Sequence, residues 1–218
     1  MLARQRQHFV IRYIGPRERL RFSARAFKGV ALFVLPGGGN DVDQAWRDLL
    51  DEPGFSPALV RDYVRAGGRY LGICMGGYLA GSTTSGGGLR LLPGDSDGYV
   101  GSAGADVATT DDTLVRVTWL GGSRPRPRTM FFQDGPYFQL SDPRTDPRAR
   151  AAVVLARYHG AGRPIAMMVV SYGRGRVGVS GPHPEATPLW YTANGLTSYY
   201  AADIDIGDTL IATLMAKR

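Results

Sequence analysis

The sequence predicts an α/β fold built on a mostly parallel sheet, and three observations carry that expectation. Val30-Ala31-Leu32-Phe33-Val34-Leu35 is a continuous apolar run, the pattern of a parallel strand buried on both faces. Tyr70-Leu71-Gly72-Ile73 is a second apolar run, which turns sharply at Cys74 and enters a helix. Two helical patterns lie between them, and strand, helix, strand, helix at this spacing implies βαβ units.

In chain order, Phe9-Val10-Ile11-Arg12-Tyr13-Ile14 reads as a strand closed by Gly15-Pro16, and residues 17–29 are charged and turn-like. The run at 30–35 ends in Pro36-Gly37-Gly38-Gly39-Asn40-Asp41. One helix is expected around Val42–Leu50. A second starts at about Ser56, with Pro57 in its first position and Leu59, Val60, Tyr63 and Val64 on one face. Gly67-Gly68 ends it. From Thr83 to Asp112 glycine, serine and aspartate dominate, which predicts loops and short strands. Leu114–Leu120 alternates as a strand, and residues 129–138 form two aromatic half-strands around a turn. Val153–Tyr158 and Ile165–Ser171 are strands, Tyr172-Gly173-Arg174-Gly175-Arg176 is a hairpin turn and Val177–Ser180 is the return strand. A last helix is expected over Asp208–Lys217, capped by Asp208. No repeat or linker interrupts the chain, so residues 1–218 are expected to form a single domain.

Composition narrows the function classes. The 218 residues carry a net charge of +7, and nearly all the basic residues are arginine, with lysine only at 28 and 217. The densest cluster, Arg124-Pro125-Arg126-Pro127-Arg128, is a proline-broken loop without aromatic interleaving, so no nucleic-acid face is expected. One cysteine excludes an internal disulfide and points to a reducing compartment. No apolar run approaches the ~18 residues of a membrane span and no signal-peptide core is present, so a soluble, cytoplasmic protein without a membrane partner is expected.

The chemistry gathers at three strand ends. Gly72 and Gly76 flank Cys74 by two on each side, as a crowded strand–helix turn requires. A thiolate at a helix start is favoured by the positive end of the helix dipole, although a buried, inert thiol would read the same way. Of the three histidines, His8 sits in a polar leader and His159 in a glycine-rich connection, whereas His183 directly follows a buried strand with Glu185 two residues on. Pro182 and Pro184 stiffen that segment. Pro36-Gly37-Gly38-Gly39 ends a core strand and can turn backbone N–H groups toward a developing oxyanion, with the Met75 N–H as second donor. A phosphate cradle fits less well, because no lysine and no helix-opening G-K-S/T accompany these glycines. Ligands of open α/β sheets bind at the carboxyl ends of strands, where all three pieces fall.

Leu35-Pro36-Gly37-Gly38-Gly39, Gly72-Ile73-Cys74-Met75-Gly76 and His183-Pro184-Glu185 resemble the class I glutamine amidotransferase-like superfamily. Within it the chain is similar to the biotin-protein ligase N-terminal-like branch, through residues 63–74, Tyr78 and the segment Phe131–Phe138. The resemblance runs from about residue 28 to 187. It implies a flavodoxin-like three-layer sandwich, here with extra β-hairpins, and a Cys-His-Glu triad. Cys74 would be the nucleophile, His183 the general base and Glu185 its orienter. Gly38 and Met75 would be the oxyanion donors, with Gly37, Gly39 and Tyr78 lining the substrate. No cofactor and no metal are implied. The expected partner is a small-molecule carbonyl compound of unknown identity, and a homo-oligomer stays open. No ligase catalytic domain follows, and the branch carries no established activity to transfer.

Two departures stand out. Glutaminases of this class usually carry glutamine four residues after the cysteine, where this chain has Tyr78, so hydrolysis of free glutamine is not expected. The family's first strand and helix lack room, with about eight residues ahead of Phe9-Val10-Ile11; either the true start lies upstream or another element fills that place. The leading expectation is a cysteine-dependent amide or ester hydrolase. The alternatives are a binding or regulatory module that kept the pocket without turnover, and a chaperone-like or glyoxalase-like relative of the intracellular-protease branch.

Overall fold

The computed structural model describes residues 1–5 and 8–216. Its strands and helices are β1 (Phe33–Leu35), α1 (Val42–Leu50), α2 (Pro57–Arg65), β2 (Arg69–Ile73), α3 (Met75–Ala80), β3 (Gly94–Gly98), β4 (Thr113–Trp119), β5 (Arg126–Phe132), β6 (Pro136–Leu140), α4 (Pro147–Arg150), β7 (Val153–Tyr158), β8 (Ile165–Tyr172), β9 (Gly175–Ser180), α5 (Pro188–Ala193) and α6 (Tyr200–Met215). Local chemistry sets the early boundaries. Asp41 caps α1 by accepting the Gln44 N–H at 2.8 Å, and Ser56 caps α2 by accepting the Leu59 N–H at 3.2 Å, with Pro57 in the first turn.

The nine strands form one sheet in the order β1-β2-β9-β8-β7-β4-β5, with β6 joining β8 and β3 joining β6. The mostly parallel sheet expected from sequence is not what forms. Only β1–β2 and β2–β9 run parallel, and every other pairing is antiparallel. The reason lies in the connections. A parallel pair needs a crossover long enough to return the chain to the same end, and helices of eight or more residues lie between strands only from β1 to β2. The later strands are joined mainly by turns and loops, and β8–β9 is a tight hairpin through Gly173 and Arg174. The result is mixed α/β.

Both sheet faces are covered. Tyr70, Val177, Val179, Met168 and Val170 pack with Trp46 of α1, Val60 and Val64 of α2 and Leu79 of α3. The alternate residues Leu71, Ile73, Met167 and Val169 pack with Ile206, Leu210 and Leu214 of α6. The period-two alternation of strand side chains separates these two clusters.

Three further expectations need correction. Residues 9–14 form no strand: apart from an Ile14–Leu20 bridge the segment pairs with nothing described, and Val10 and Tyr13 are exposed. Residues 126–128 belong not to a loop but to β5, the end strand of the sheet, where a proline at 127 is tolerated. The last helix begins at Tyr200, so Asp208 lies inside it and is not its cap; Lys217 lies outside the described residues. Gly207 and Asp208 imitate a boundary. The buried face of Ile206, Leu210, Ile211 and Leu214 nonetheless runs straight through it, and the Asp208 carboxylate accepts a hydrogen bond from Gln5. No described helix is long and apolar enough to cross a membrane.

Candidate functional site

Cys74 sits between β2 and α3 with φ 49° and ψ −109°, a backbone region that side chains rarely occupy. Such strain costs on the order of 1–3 kcal/mol and persists only where the surroundings enforce it. Here the Cys74 N–H is held by the Ser180 carbonyl of β9 at 2.8 Å. The flanking glycines are sterically obligatory. A Cβ on Gly76 would lie 1.9 Å from the Leu35 carbonyl oxygen, and one on Gly72 would lie 2.2 Å from the Gly76 oxygen. The elbow read from the sequence is therefore real. The helix behind it is only six residues long, so its dipole contributes less than the sequence argument assumed.

His183 follows β9 and is 3% exposed. Its N–H donates to the Phe131 carbonyl at 2.9 Å, and its ring stands edge-on to Phe131 and tilted against Trp190, at centroid distances of 5.9 and 5.4 Å. Nδ1 lies 2.8 Å from Glu185 Oε1. Cys74 and His183 meet across Gly37, whose Cβ would lie 2.7 Å from His183 Cε1 and 3.2 Å from Cys74 Cβ. Burial alone would push the imidazole pKa down, but its interactions with Cys74 and Glu185 outweigh it and raise the value to about 10. The thiol's own hydrogen bond goes elsewhere, to the Gln133 carbonyl at 3.4 Å, and His183 Nε2 has no hydrogen-bond partner. Cys74 and His183 are thus near enough for the cysteine to raise the imidazole pKa, while the thiol hydrogen itself is directed at Gln133. Cys74 is 8% exposed.

The remaining predicted positions surround this pair. Gly37 presses directly on it. Gly38 has φ 140° and Gly39 φ 79°; a Cβ on Gly38 would meet nothing within 4 Å, and one on Gly39 would touch Met75 Cε at 3.7 Å. Met75 is the first residue of α3, so its N–H is among those a helix leaves unpaired. The Tyr78 hydroxyl donates to the Asp134 carbonyl at 3.0 Å, and burial, with the charges of Asp134 and Cys74, pushes its pKa up. His159 does not replace His183.

Sequence reasoning missed the floor of the site. The β5–β6 turn supplies the Gln133 carbonyl to the thiol and the Asp134 carbonyl to Tyr78, and Pro136 accepts the Tyr158 hydroxyl at 2.7 Å. Its signal was Asp134-Gly135, a turn pair, with Asp134 at φ 42°. Trp190, Tyr191 and Asp203, around and behind His183, carried no signal. Among the described residues no grouping of three or more His, Cys, Asp or Glu side chains offers a metal site. Two open surface clefts, of about 440 and 310 Å³, lie elsewhere, beside Arg157 and Arg163 and beside Arg90 and Asp95.

Residues 25–85 match the family described as biotin-protein ligase, N terminal. An uncharacterized protein of Chlamydia muridarum is 31% identical over 168 residues, which cover 72% of this chain and 61% of that relative, so the chain spans less than two thirds of its length. Among solved structures, a cytoplasmic protein from Salmonella typhimurium LT2 superposes with a TM-score of 0.50 at 16% identity, covering 90% of this chain and 76% of that one. A second Salmonella typhimurium cytoplasmic protein gives 0.48 at 14% identity, over 88% and 75%.

Proposed function

We propose that this chain, whose residues 25–85 carry the biotin-protein ligase N-terminal signature, is a cysteine-dependent amide or ester hydrolase on an amidotransferase-like core. We read β1, β2 and β9, with the helices against them, as the flavodoxin-like part of that core, inside one domain. The observation that carries the reading is a cysteine in a strained elbow, facing a buried histidine whose far nitrogen is bonded to a glutamate.

In the proposed cycle His183, kept protonated at neutral pH by its raised pKa, already holds the Cys74 proton on Nε2 when the thiolate sulfur bonds to a substrate carbonyl carbon. Glu185 holds Nδ1 and stabilises the imidazolium. The carbonyl π electrons move to oxygen, which the N–H groups of Gly38 and Met75 would receive. Collapse expels an amine or alcohol that takes the proton from His183. Water, deprotonated by His183, then cleaves the thioester, releasing the acid and leaving the proton on His183 beside the thiolate. Forming this ion pair requires the thiol to leave the Gln133 carbonyl, a change of one side-chain torsion. Tyr78, already bonded to Asp134, offers no short amide for substrate, so free glutamine is not the substrate proposed.

The thiol's bond to Gln133 and the burial of Cys74 and His183 favour a second reading, a binding or regulatory module without turnover. Labelling with electrophilic acyl probes, followed by mass spectrometry and a panel of amide and ester substrates, separates the two. Hydrolysis lost in Cys74→Ala and His183→Ala is expected. Binding without turnover, or labelling of Cys74 that ignores His183→Ala, overturns the hydrolase.

A further inference from the structure

Behind His183 and Glu185 lies a carboxyl that the proposed cycle does not use. Asp203, in the first turn of α6, is fully buried, and its Oδ2 accepts the Tyr191 hydroxyl. That hydroxyl also accepts the Phe131 N–H at 3.2 Å, and the Phe131 carbonyl takes the His183 N–H at 2.9 Å. Asp203 is thus tied through two residues to the backbone that sets the imidazole. Two acceptors are left over: Asp203 Oδ1 and Glu185 Oε2 are both buried, and neither has a hydrogen-bond partner. A buried acceptor without a donor costs about 1–3 kcal/mol, and more when it is charged.

The groups acting on Asp203 come from two elements, Tyr191 of α5 and Glu185 of the β9–α5 segment. No cation answers it. Arg128 of β5 pairs instead with Asp205 on the exposed side of α6, at 3.9 Å, and no described arginine, lysine or histidine forms an ion pair with Asp203. Asp203 is fully buried, and Glu185, with 22% of its side chain exposed, has its Oε2 out of solvent. Two such carboxylates that interact cannot both ionise cheaply, and a protonated carboxyl is a donor. One proton shared between them would satisfy both orphans at once.

We propose that Asp203 is a positioning residue that acts as a neutral acid, donating its carboxyl proton in a hydrogen bond to Glu185 Oε2 and so presenting Oε1 to His183 Nδ1. Burial, the largest influence, and the Glu185 charge raise the Asp203 pKa to about 7, against the Tyr191 hydrogen bond that lowers it. The hydrogen bond is therefore present below neutrality. It is lost as pH rises through about 7, when the two carboxylates repel and the His183–Glu185 contact slackens. The inference rests on the reading of Cys74, His183 and Glu185 as a working group, but its test does not need turnover.

The test follows the His183 ring nitrogens by NMR in the full chain from pH 5 to 9. Wild type is expected to show a step near pH 7 in the Nδ1 signal. Asp203→Asn, whose amide can donate but cannot ionise, should keep the low-pH signal throughout, whereas Asp203→Ala should hold the high-pH signal throughout. Glu185→Gln removes one of the raising influences, so the Asp203 carboxyl carbon should titrate lower there by about one pH unit. A wild-type Nδ1 signal flat through pH 7, or a step that persists in Asp203→Asn, overturns the inference even if Cys74 hydrolyses esters. A Cys74 that never acylates overturns the hydrolase reading and leaves the Nδ1 step as the measure of this one.

Discussion

At Gly37 one added methyl group should damage the site more than the fold. Its backbone lies outside the left-handed region, so Gly37→Ala acts by volume alone. The new Cβ would stand 2.7 Å from His183 Cε1, where ordinary contact begins at 3.4 Å, so loop or imidazole must yield by roughly 0.7 Å. The imidazole has little freedom. Nδ1 is bonded to Glu185 at 2.8 Å, and Phe131 and Trp190 flank the ring at 5.9 and 5.4 Å. Overpacking of this kind costs about 1–3 kcal/mol, and each kcal/mol lowers the unfolding temperature of a chain this long by about 2–4 °C. Misalignment of the pair should slow Cys74 alkylation by iodoacetamide about tenfold, equivalent to about 1.4 kcal/mol. Gly67→Ala is the control: φ there is 117° and nothing stands within 4 Å, so it strains the α2–β2 turn far from the thiol. Both variants should melt lower, and only Gly37→Ala should lose alkylation rate. A Gly37→Ala protein with wild-type rate and melting temperature, or equal rate losses in both variants, would refute the steric argument.

The buried imidazole gives a pH prediction. A histidine raised to about 10 in the folded protein, against about 6.5 unfolded, contributes stability that is fully present below about 6.5 and lost as pH rises through 10. The melting temperature should fall across that window, and less so in His183→Gln; parallel curves would refute it. Because Cys74 is one of the groups raising it, Cys74→Ala should move the His183 NMR midpoint down, and an unmoved midpoint would mean the two side chains do not interact. Tyr78→Phe removes the 3.0 Å bond to Asp134 and should cost about 1 kcal/mol in urea unfolding; no change would mean that the Tyr158–Pro136 bond alone holds the β5–β6 turn. Gly76→Ala drives a Cβ to 1.9 Å from the Leu35 carbonyl oxygen, backbone against backbone, so soluble protein with wild-type melting should not be recovered.

The legible parts of this protein are those whose causes lie within a few residues of one another. At the turn on Cys74 a Cβ on Gly72 would meet the Gly76 oxygen four residues on, so this half of the elbow is local, whereas Gly76 must be glycine because the Leu35 carbonyl of β1 presses on it. The Asp41 and Ser56 caps reach only three residues forward, so the starts of α1 and α2 are set locally, close to where the helical pattern and Pro57 put them. His183 and Glu185 are two apart, and their contact at 2.8 Å was readable for the same reason. The misreadings share the opposite property. Residues 9–14 have a strand's composition, but a strand needs a partner edge, and a local pattern cannot supply one. Gly207-Asp208 has the local form of a helix start, overruled by an apolar face buried against the sheet.

By itself, then, the sequence determined the strand–turn–helix at Cys74, the capped helices before it and the histidine–glutamate pair, because each is settled by sterics and hydrogen bonds between near neighbours. Tertiary structure alone decided that most strands run antiparallel, and it carried to the cysteine the His183 that the sequence had already singled out over His159. It also brought the Gln133 carbonyl to the thiol and Asp203 to the Tyr191 hydroxyl. Those outcomes join residues 59, 109 and 12 positions apart, and such distances are closed only when apolar faces on both sides of the sheet are buried together.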